Sequence, residues 1–307
     1  MKKIKVTAPA TVANLVCGYD ILGMALHEPY DEMEVELTNE PVINIKHTDG
    51  FGLPEEAGKN VAGVALQALI KAYGKPIGFN LTVHKTIMPG SGLGSSAAGS
   101  TGAVVAANYL LGHHFSKQEL VNFAMNGELL ASGVKHADNI APGIYGGVTL
   151  IRSVFPLDII RLDAPPMYVT VVHPQIEVKT SYAREILPKE ILLKNAVRQW
   201  ANIAGLVTGF LKNDYELISR SLEDVIIEPV RSVLIPGYHE IKEQSKEAGA
   251  LGGGISGSGP SMFMLSKDEH TAVQVKNIME SVYLKLGIDH RSCVTTLNTE
   301  GVKVFSV

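Results

Sequence analysis

The chain has 307 residues, of which 46% are hydrophobic, and a formal net charge of −4. This length exceeds the usual size of one domain, so two packed domains are expected. The hydrophobic content supports a large core and argues against intrinsic disorder. A nucleic-acid-binding protein usually carries a concentrated Lys/Arg surface, and no long basic run is present. We therefore expect small-molecule partners rather than nucleic acid or a membrane.

The two cysteines, Cys17 and Cys293, lie far apart in the chain. This spacing predicts neither a disulfide scaffold nor a zinc site, and it suggests a reducing compartment. No segment reaches the roughly 18 consecutive apolar residues that a membrane-spanning helix needs. Polar residues also interrupt the stretch before Cys17, which argues against a signal peptide. These features predict a cytoplasmic protein.

The first part of the chain combines strand and helix patterns. Alternating apolar and polar residues predict strands over residues 2–8 and 31–47. Apolar residues at helical spacing predict a helix over residues 60–73 that ends at Gly74, and a strand over residues 78–87 follows. The pattern indicates a mixed α and β domain.

A segment rich in glycine, serine and alanine comes next, and we call it the phosphate loop. Its residues are Pro89, Gly90, Ser91, Gly92, Leu93, Gly94, Ser95, Ser96, Ala97, Ala98 and Gly99. A glycine-rich turn that leads into a helix places backbone N–H groups and the positive helix end at one point, which binds phosphate. Either Ser95 or Ser96 can cap the helix or bind a metal. The alternative is a flexible turn before a tightly packed helix, but the preceding strand and following helix favour phosphate.

Two other nucleotide motifs do not fit this sequence. A P-loop ends in Gly-Lys-Ser/Thr, and no lysine lies between Pro89 and Gly112. The spacing over residues 92–97 matches a dinucleotide-binding pattern, but the acidic strand end that this fold needs is missing. Residues 252–257 match it too, yet Pro260 and a strand follow where a helix should begin. We therefore reject both dinucleotide sites.

A capping box, Ser116 with Glu119, predicts a helix that Gly133 ends. A strand is predicted over residues 146–151. The proline-rich stretch over residues 156–166 is the best domain boundary.

The second half begins with a strand predicted over residues 168–173. Further predicted elements are helices over residues 189–211, 214–224 and 238–248, a glycine-rich loop over 252–260, a strand over 261–265, a last helix and a short terminal strand. We predict an α+β protein with two domains, residues 1–160 and residues 161–307.

Three motifs in order resemble the GHMP superfamily, named for galactokinase, homoserine kinase, mevalonate kinase and phosphomevalonate kinase. They are residues 9–15 (Pro-Ala-Thr-Val-Ala-Asn-Leu), the phosphate loop, and residues 255–260 (Ile-Ser-Gly-Ser-Gly-Pro). The resemblance covers essentially the whole chain. It implies an N-terminal domain like domain 2 of ribosomal protein S5, a ferredoxin-like C-terminal domain, and ATP bound between them.

The resemblance also implies a metal pair. Glu128 shares an otherwise apolar helix face with Leu120 and Ala124. Taken alone, such a carboxylate is often an edge residue that reaches solvent or pairs with lysine. Superfamily members hold magnesium with a serine of the phosphate loop and a glutamate of a later helix. Ser96 and Glu128 match these positions, so the resemblance implies Mg²⁺ there, beside ATP.

The homoserine-phosphorylating members of the superfamily most closely resemble residues 136–142. They act without a general base, which implies that Asn139 orients the substrate hydroxyl. The sequence does not distinguish whether Asp138 or Asn139 faces that hydroxyl. The implied catalytic residues are Ser96, Glu128 and Asn139.

A zwitterionic amino acid needs a carboxylate for its ammonium group and an arginine fork for its carboxylate. Asn14 and Asp20 match the substrate-binding segment of these members, and Thr180 and Arg184 match their carboxylate-binding stretch. Arg231 supplies a second arginine. Singly, each arginine is more often a surface residue. Together they imply homoserine as the phosphoryl acceptor, on the route to threonine.

Asn60 and Val61 match the segment that lines the adenine pocket, although Asn60 could equally cap a helix. Lys85 could reach a phosphate or be a solvated strand lysine. Residues 256–260 are expected to pack against the phosphate loop.

Two alternatives remain open. A mevalonate or sugar kinase would leave Asp20 and two arginines unexplained. A non-catalytic binding protein would be expected to lose the phosphate loop or the metal pair first, and both are kept. The resemblance is compatible with a homodimer.

Overall fold

A computed structural model describes residues 3–306. The strands are β1 (Lys3–Ala13), β2 (Leu22–Thr38), β3 (Ile43–His47), β4 (Gly78–His84), β5 (Val148–Val154), β6 (Leu157–Leu162), β7 (Tyr168–Pro174), β8 (Gly252–Ile255), β9 (Met262–Ser266), β10 (His290–Thr296) and β11 (Lys303–Ser306). The α-helices are α1 (Val61–Tyr73), α2 (Ser95–Leu110), α3 (Lys117–Ser132), α4 (Ile140–Tyr145), α5 (Thr180–Glu185), α6 (Leu193–Lys212), α7 (Tyr215–Ser221), α8 (Glu228–Arg231), α9 (Tyr238–Glu247) and α10 (Glu269–Leu286). Short 3₁₀ helices span Ala57–Lys59 and Ser232–Leu234.

The N-terminal half forms a seven-stranded sheet that the end of the chain completes. Its main order is β11-β1-β2-β4-β3, while β5 pairs with the first part of β2 and β6 pairs with β5. All of these pairs are antiparallel except β3 with β4. Apolar residues of this sheet and of α1, α2 and α3 form one core, so the three helices have a fixed position relative to the sheet.

The second sheet has the order β10-β7-β9-β8, with every neighbouring pair antiparallel. With helices between β7 and β8 and α10 between β9 and β10, this is the arrangement of a ferredoxin-like βαββαβ unit. The predicted mixed α+β architecture is confirmed. Across residues 3–306, no helix combines the length and apolar character needed to cross a membrane.

Helix ends agree with the local signals in the sequence. Asn60 caps α1 by accepting hydrogen bonds from the amides of Ala62 and Gly63, and Gly74 ends the helix in a left-handed conformation. The capping box of Ser116 and Glu119 starts α3. These boundaries therefore follow from short-range chemistry.

Small residues let α3 approach α2 closely. A Cβ atom added to Gly127 would lie 1.9 Å from the hydroxyl of Ser100 in α2. Only glycine fits this helix contact, since real atoms do not approach so closely. The contact places Glu128, the next residue of α3, beside the start of α2.

Two strand predictions in the first half are wrong in extent. Residues 31–47 form parts of two strands, and Pro41 lies in the break between β2 and β3. The strand predicted over residues 78–87 ends at His84. The amides of Thr86 and Ile87 instead donate to the carboxylate of Asp31, so they are not available to a sheet.

The stretch over residues 156–166, predicted to be the domain boundary, contains β6, because Leu157–Leu162 returns as a hairpin onto β5. The predicted glycine-rich loop over residues 252–260 begins as strand β8. A Cβ atom on Gly254 would lie 1.7 Å from the carboxylate of Glu228, so this glycine marks close packing within a strand.

Some boundaries lie elsewhere than predicted. The helix predicted from residue 189 begins at Leu193, and the short helices α4 and α5 were not predicted. Residue 2 of the first predicted strand lies outside the described residues. The domain division after residue 160 stays a prediction.

Candidate active site

A cavity of about 350 Å³ opens between the two halves of the chain. The predicted site residues that line it are Asn14, Asp20, Asn60, Val61, Lys85, Pro89, Gly90, Gly92, Gly94, Ser95, Ser96, Gly99, Glu128, Asp138, Asn139, Thr180, Arg184 and Arg231. We call the part with Asn60, Val61 and Lys85 the nucleotide end, and the part with Asp20, Asp138 and Arg184 the acceptor end. The remaining predicted residues, Ser91, Leu93, Ala97 and Ala98, are buried and do not line it.

The phosphate loop depends on glycines in left-handed conformations. Gly90, Gly92 and Gly94 have φ values of 76°, 82° and 65°, a region that other residues rarely adopt. A Cβ atom on Gly92 would lie 2.6 Å from the carbonyl oxygen of Ser256, whose hydroxyl donates to the Gly92 carbonyl at 2.7 Å. The predicted packing of residues 256–260 on the phosphate loop is therefore observed.

The start of α2 presents free amide groups. Within residues 3–306, the backbone N–H groups of Ser95, Ser96 and Ala97 have no hydrogen-bond acceptor. First-turn amides and the positive helix end together favour an anion. The hydroxyl of Ser95 is not free, because it donates to the carbonyl of Ile87 at 2.8 Å. The hydroxyl of Ser96 instead lies beside Glu128 in the cavity wall.

Ser96 and Glu128 lie side by side. The Ser96 hydroxyl donates to Glu128 Oε1 at 2.5 Å. Glu128 is only 8% exposed, and burial raises the pKa of its carboxyl group while the Ser96 hydrogen bond opposes the rise. A buried carboxylate and a hydroxyl in contact form a pair of hard oxygen donors. The alternative that Glu128 is an edge residue reaching solvent is wrong, because its side chain is buried.

Lys85 is buried. The prediction that it could be a solvated strand lysine is therefore wrong. Its ammonium group forms an ion pair with the buried carboxylate of Asp31 and donates to the carbonyl of Ser95 at 3.0 Å. Both partners are protein groups, and the second lies in the first turn of α2. Lys85 thus ties β2 to the phosphate loop at the edge of the cavity.

Asn60 is fully engaged as a helix cap. Its oxygen accepts from the α1 amides, while its Nδ2 group donates to the carbonyl of Pro54 at 2.6 Å and contacts His47 Nε2 at 3.0 Å. The prediction that Asn60 caps a helix is confirmed. Val61, the next residue, lines the cavity. Apolar side chains of Met33, Leu53 and Val83 complete the nucleotide end.

At the acceptor end, Asp20 and Arg184 contact each other. Arg184 Nη2 donates to Asp20 Oδ1 at 2.9 Å, and Nη1 donates to Oδ2 at 3.3 Å. The arginine also lies 5.7 Å from the ring centre of Tyr19. The sequence assigns these two residues to opposite ends of an amino acid, and that assignment stays a prediction. In this structure they form an ion pair with each other.

Other predicted residues at this end support the backbone. Arg231 is 3% exposed, and it donates to the carbonyls of Ala183 at 2.9 Å and Gly257 at 3.1 Å. Asn14 donates to the Gly257 carbonyl at 2.9 Å and accepts from the amide of Asp20 at 3.0 Å. Both side chains therefore support the segments that carry the ion pair, the loop of Asp20 and helix α5.

The acceptor end also contains a buried acid and unpartnered polar atoms. Burial, with the charges of Asp20 and Glu128, raises the pKa of Asp138 to about 7. His136 lies beside Asp20, and burial lowers the pKa of its imidazole. Within the described residues, His136 Nε2 and Arg184 Nε are buried without a hydrogen-bond partner. Buried polar atoms are rarely left unpaired, so these two atoms can bind a water molecule, an ion or a polar ligand.

Asp138 and Asn139 both line the cavity. Asn139 precedes α4 but its side chain does not cap that helix. Its Oδ1 atom accepts a hydrogen bond from Thr11 at 2.7 Å instead. The structure thus brings both candidates to the acceptor end.

Comparison with known proteins decides the family. The GHMP kinases N terminal domain model matches residues 60–147, and the GHMP kinases C terminal model matches residues 206–285. The homoserine kinase of Chloroherpeton thalassium is 45% identical over 93% of this chain and 94% of its own. The chain belongs to the GHMP kinase family. It is therefore an ATP-dependent kinase that acts on a hydroxyl group.

Further comparisons agree. The homoserine kinase of Chlorobium phaeobacteroides strain BS1 is 43% identical over 99% of this chain and 100% of its own. The crystal structure of homoserine kinase from Cytophaga hutchinsonii superposes with a TM-score of 0.95 at 45% identity, covering 99% of this chain and 98% of that chain. The fold and family predicted from the sequence are confirmed.

Some residues of the site were missed. Tyr19 and His47 line the cavity, and the Thr11 hydroxyl donates to Asn139. Thr11 lies within the N-terminal motif, so the motif itself was the available signal. The sequence around His47 gave no such signal, because His47 lies at the cavity only as a result of where β3 packs in the fold.

We expect Gly94→Ala to lose more stability than Gly90→Ala. Both glycines have positive φ, which costs roughly 1–2 kcal/mol for alanine. A Cβ atom on Gly94 would also lie 2.0 Å from the Thr11 hydroxyl, whereas Gly90 has nothing within 4 Å. Urea unfolding of both variants measures the difference. Equal losses would mean that the contact with Thr11 is easily relieved.

Proposed function

We propose that this protein transfers the γ-phosphoryl group of ATP to the side-chain hydroxyl of homoserine, giving O-phosphohomoserine for threonine synthesis. One observation carries the proposal: two carboxylates and an arginine face the same cavity as the Ser96–Glu128 pair and the phosphate loop. An acceptor with both an ammonium and a carboxylate group matches this charge pattern. The homoserine kinase names of the similar proteins support the same substrate.

The acceptor end would bind homoserine by sharing the Asp20–Arg184 pair. The ammonium group of homoserine adds a positive charge beside Asp20 and Asp138. Its carboxylate adds a negative charge beside Arg184, with Arg231 and Thr180 nearby in the cavity wall. Because the ion pair exists before binding, both charged side chains are held in place in advance, which lowers the entropic cost of binding.

Asn139 would orient the homoserine hydroxyl toward the phosphoryl group. The hydroxyl oxygen forms the new O–P bond, the bond from the γ-phosphorus to the bridging oxygen breaks, and ADP leaves. The hydroxyl proton passes to the transferring phosphoryl group, so no side chain needs to accept it. Positioning and charge neutralisation dominate phosphoryl transfer, and the amides at the start of α2 contribute both.

The Ser96–Glu128 pair fits a magnesium ion. A hydroxyl and a carboxylate are hard oxygen donors, which Mg²⁺ prefers, and Glu128 has no cationic side chain bonded to it within residues 3–306. Ser96 and Glu128 would hold the ion, which when bound neutralises phosphate charge. Of the two serines at the start of α2, Ser96 is the suitable one because Ser95 donates to Ile87.

Turnover with alternative acceptors tests the substrate assignment. Coupled ADP-release assays with homoserine, mevalonate and galactose are expected to show turnover with homoserine alone, and ³¹P NMR should identify O-phosphohomoserine. Turnover with mevalonate alone would overturn the assignment. No turnover with any acceptor, in a protein that still binds ATP, would favour a non-catalytic role.

Three further predictions accompany this function. We propose a cytoplasmic location, a homodimer, and domains divided near residue 160. Light scattering after size-exclusion chromatography tests the dimer, and limited proteolysis tests the division.

We expect the homoserine KM to fall as pH rises from 6 to 8. Asp138, facing Asp20, Glu128 and Arg184, has a pKa raised to about 7. It is neutral below that value and negative above it, and only the carboxylate attracts an ammonium group. A single such group changes the affinity by about tenfold between pH 6 and pH 8. The dependence should be absent in Asp138→Asn, and its persistence there would assign it to another group.

A further inference from the structure

Thr11 connects two parts of the active site. Its backbone N–H donates to the carbonyl of Leu93 in the phosphate loop at 3.1 Å. Its hydroxyl donates to Asn139 Oδ1 at 2.7 Å. Thr11 is 1% exposed. Gly94 packs directly against its hydroxyl, since a Cβ atom added to Gly94 would lie 2.0 Å from the hydroxyl oxygen. The side chain therefore has little freedom to move.

The hydrogen bond from Thr11 decides what Asn139 presents to the cavity. A side-chain amide has an acceptor oxygen on one side and a donor NH₂ group on the other. With Oδ1 engaged by Thr11, the Nδ2 group is the part of the amide left for a ligand. No other hydrogen bond among the described residues involves the Asn139 side chain, so the bond from Thr11 is the hydrogen bond that orients it.

We propose that Thr11 is a positioning residue that locks the Asn139 amide with its Nδ2 donor toward the acceptor hydroxyl. The hydroxyl oxygen would accept from Nδ2, which leaves its own hydrogen directed away from Asn139. The same residue holds the phosphate loop through Leu93. Thr11 thus sets the distance and direction between the attacking oxygen and the phosphates without touching either. This inference rests on the proposed role of Asn139 in homoserine phosphorylation.

The test removes the Thr11 hydroxyl and keeps the shape of the side chain. Thr11→Val is expected to lower kcat about tenfold, since one orienting hydrogen bond is lost. The KM values for homoserine and ATP should change less than about threefold, because the binding groups remain in place. Thr11→Ala should show the same kcat loss. It also removes the hydroxyl, so it provides the test if Thr11→Val does not fold. Thr11→Ser keeps the hydroxyl and should recover most of the turnover.

A matched control separates positioning from general destabilisation. Thr170 is also buried, and its hydroxyl donates to the carbonyl of Ala272 at 3.0 Å in the C-terminal sheet, outside the cavity. Thr170→Val should lose stability in urea unfolding to a similar extent but keep the kcat of the unmodified protein. A kcat for Thr11→Val equal to that of Thr170→Val would overturn the proposal.

A double-mutant cycle tests whether Thr11 acts through Asn139. Asn139→Ala should lower kcat, and adding Thr11→Val to it should cost nothing more. Losses that multiply in the double variant would show that Thr11 acts independently and would contradict the proposal. An Asn139→Ala variant with unchanged kcat would instead remove Asn139 from the proposed function, an outcome that differs from failure at Thr11 alone.

Discussion

Replacing Glu128 by glutamine is expected to lower kcat by at least about a hundredfold while the protein stays folded. Glutamine has nearly the same shape and can still accept the hydrogen bond from Ser96. The change removes the negative charge with which Glu128 would hold the proposed magnesium ion. The kcat should be measured over a range of magnesium concentrations, because a weakened metal site is partly restored by excess ion.

Glu119→Gln on the same helix is the matched control. Glu119 lies in the capping box of α3, and glutamine can take the same role there. The control also removes one carboxylate from α3 and should leave kcat unchanged. Near-normal turnover in Glu128→Gln, or an equal loss in both variants, would contradict the metal-binding role of Glu128.

Arg184→Ala is expected to raise the homoserine KM by about 30-fold or more and the ATP KM by much less. The guanidinium group supplies positive charge to the acceptor end, and its Nε atom is buried without a partner among the described residues. Loss of the group also leaves Asp20 without its ion pair. Steady-state kinetics with each substrate varied in turn measures both KM values.

Arg198→Ala provides the comparison for Arg184. Arg198 also forms an arginine–carboxylate pair, to Glu223 at 2.7 Å, but the two side chains are 60% and 48% exposed and lie outside the cavity. Exposed pairs contribute little to stability, so both KM values should stay unchanged. Equal increases of both KM values in Arg184→Ala would argue against a contact with the substrate carboxylate.

Features set by local chemistry were predictable from the sequence. The caps of α1 and α3 need only neighbouring residues. The turn before α2 was predictable because Gly90, Gly92 and Gly94 can adopt the positive φ values that the turn requires. The adjacency of Ser96 and Glu128 came from the family resemblance, and the structure shows how it arises, through the close helix contact at Gly127.

Features that depend on distant contacts could not be predicted. The ion pair of Asp20 with Arg184 joins residues from opposite halves of the chain. Nothing in either local segment indicates that they would neutralise each other. The burial of Lys85 depends on Asp31, which lies in another strand. The glycines of β8 predict a loop because glycine usually opposes strands, and the Glu228 carboxylate that explains Gly254 is distant in sequence.

Strand β11 has a consequence for biosynthesis. It pairs with β1 through Ile4–Thr7 and Lys303–Ser306, so the first and last described strands are neighbours in one sheet. During translation, β1 leaves the ribosome before β11 and keeps an open edge until residues 303–306 have been made. Unpaired edges invite association with other chains. A nascent or truncated product that lacks residues 303–306 would therefore be prone to aggregate, even though all residues lining the cavity are already present.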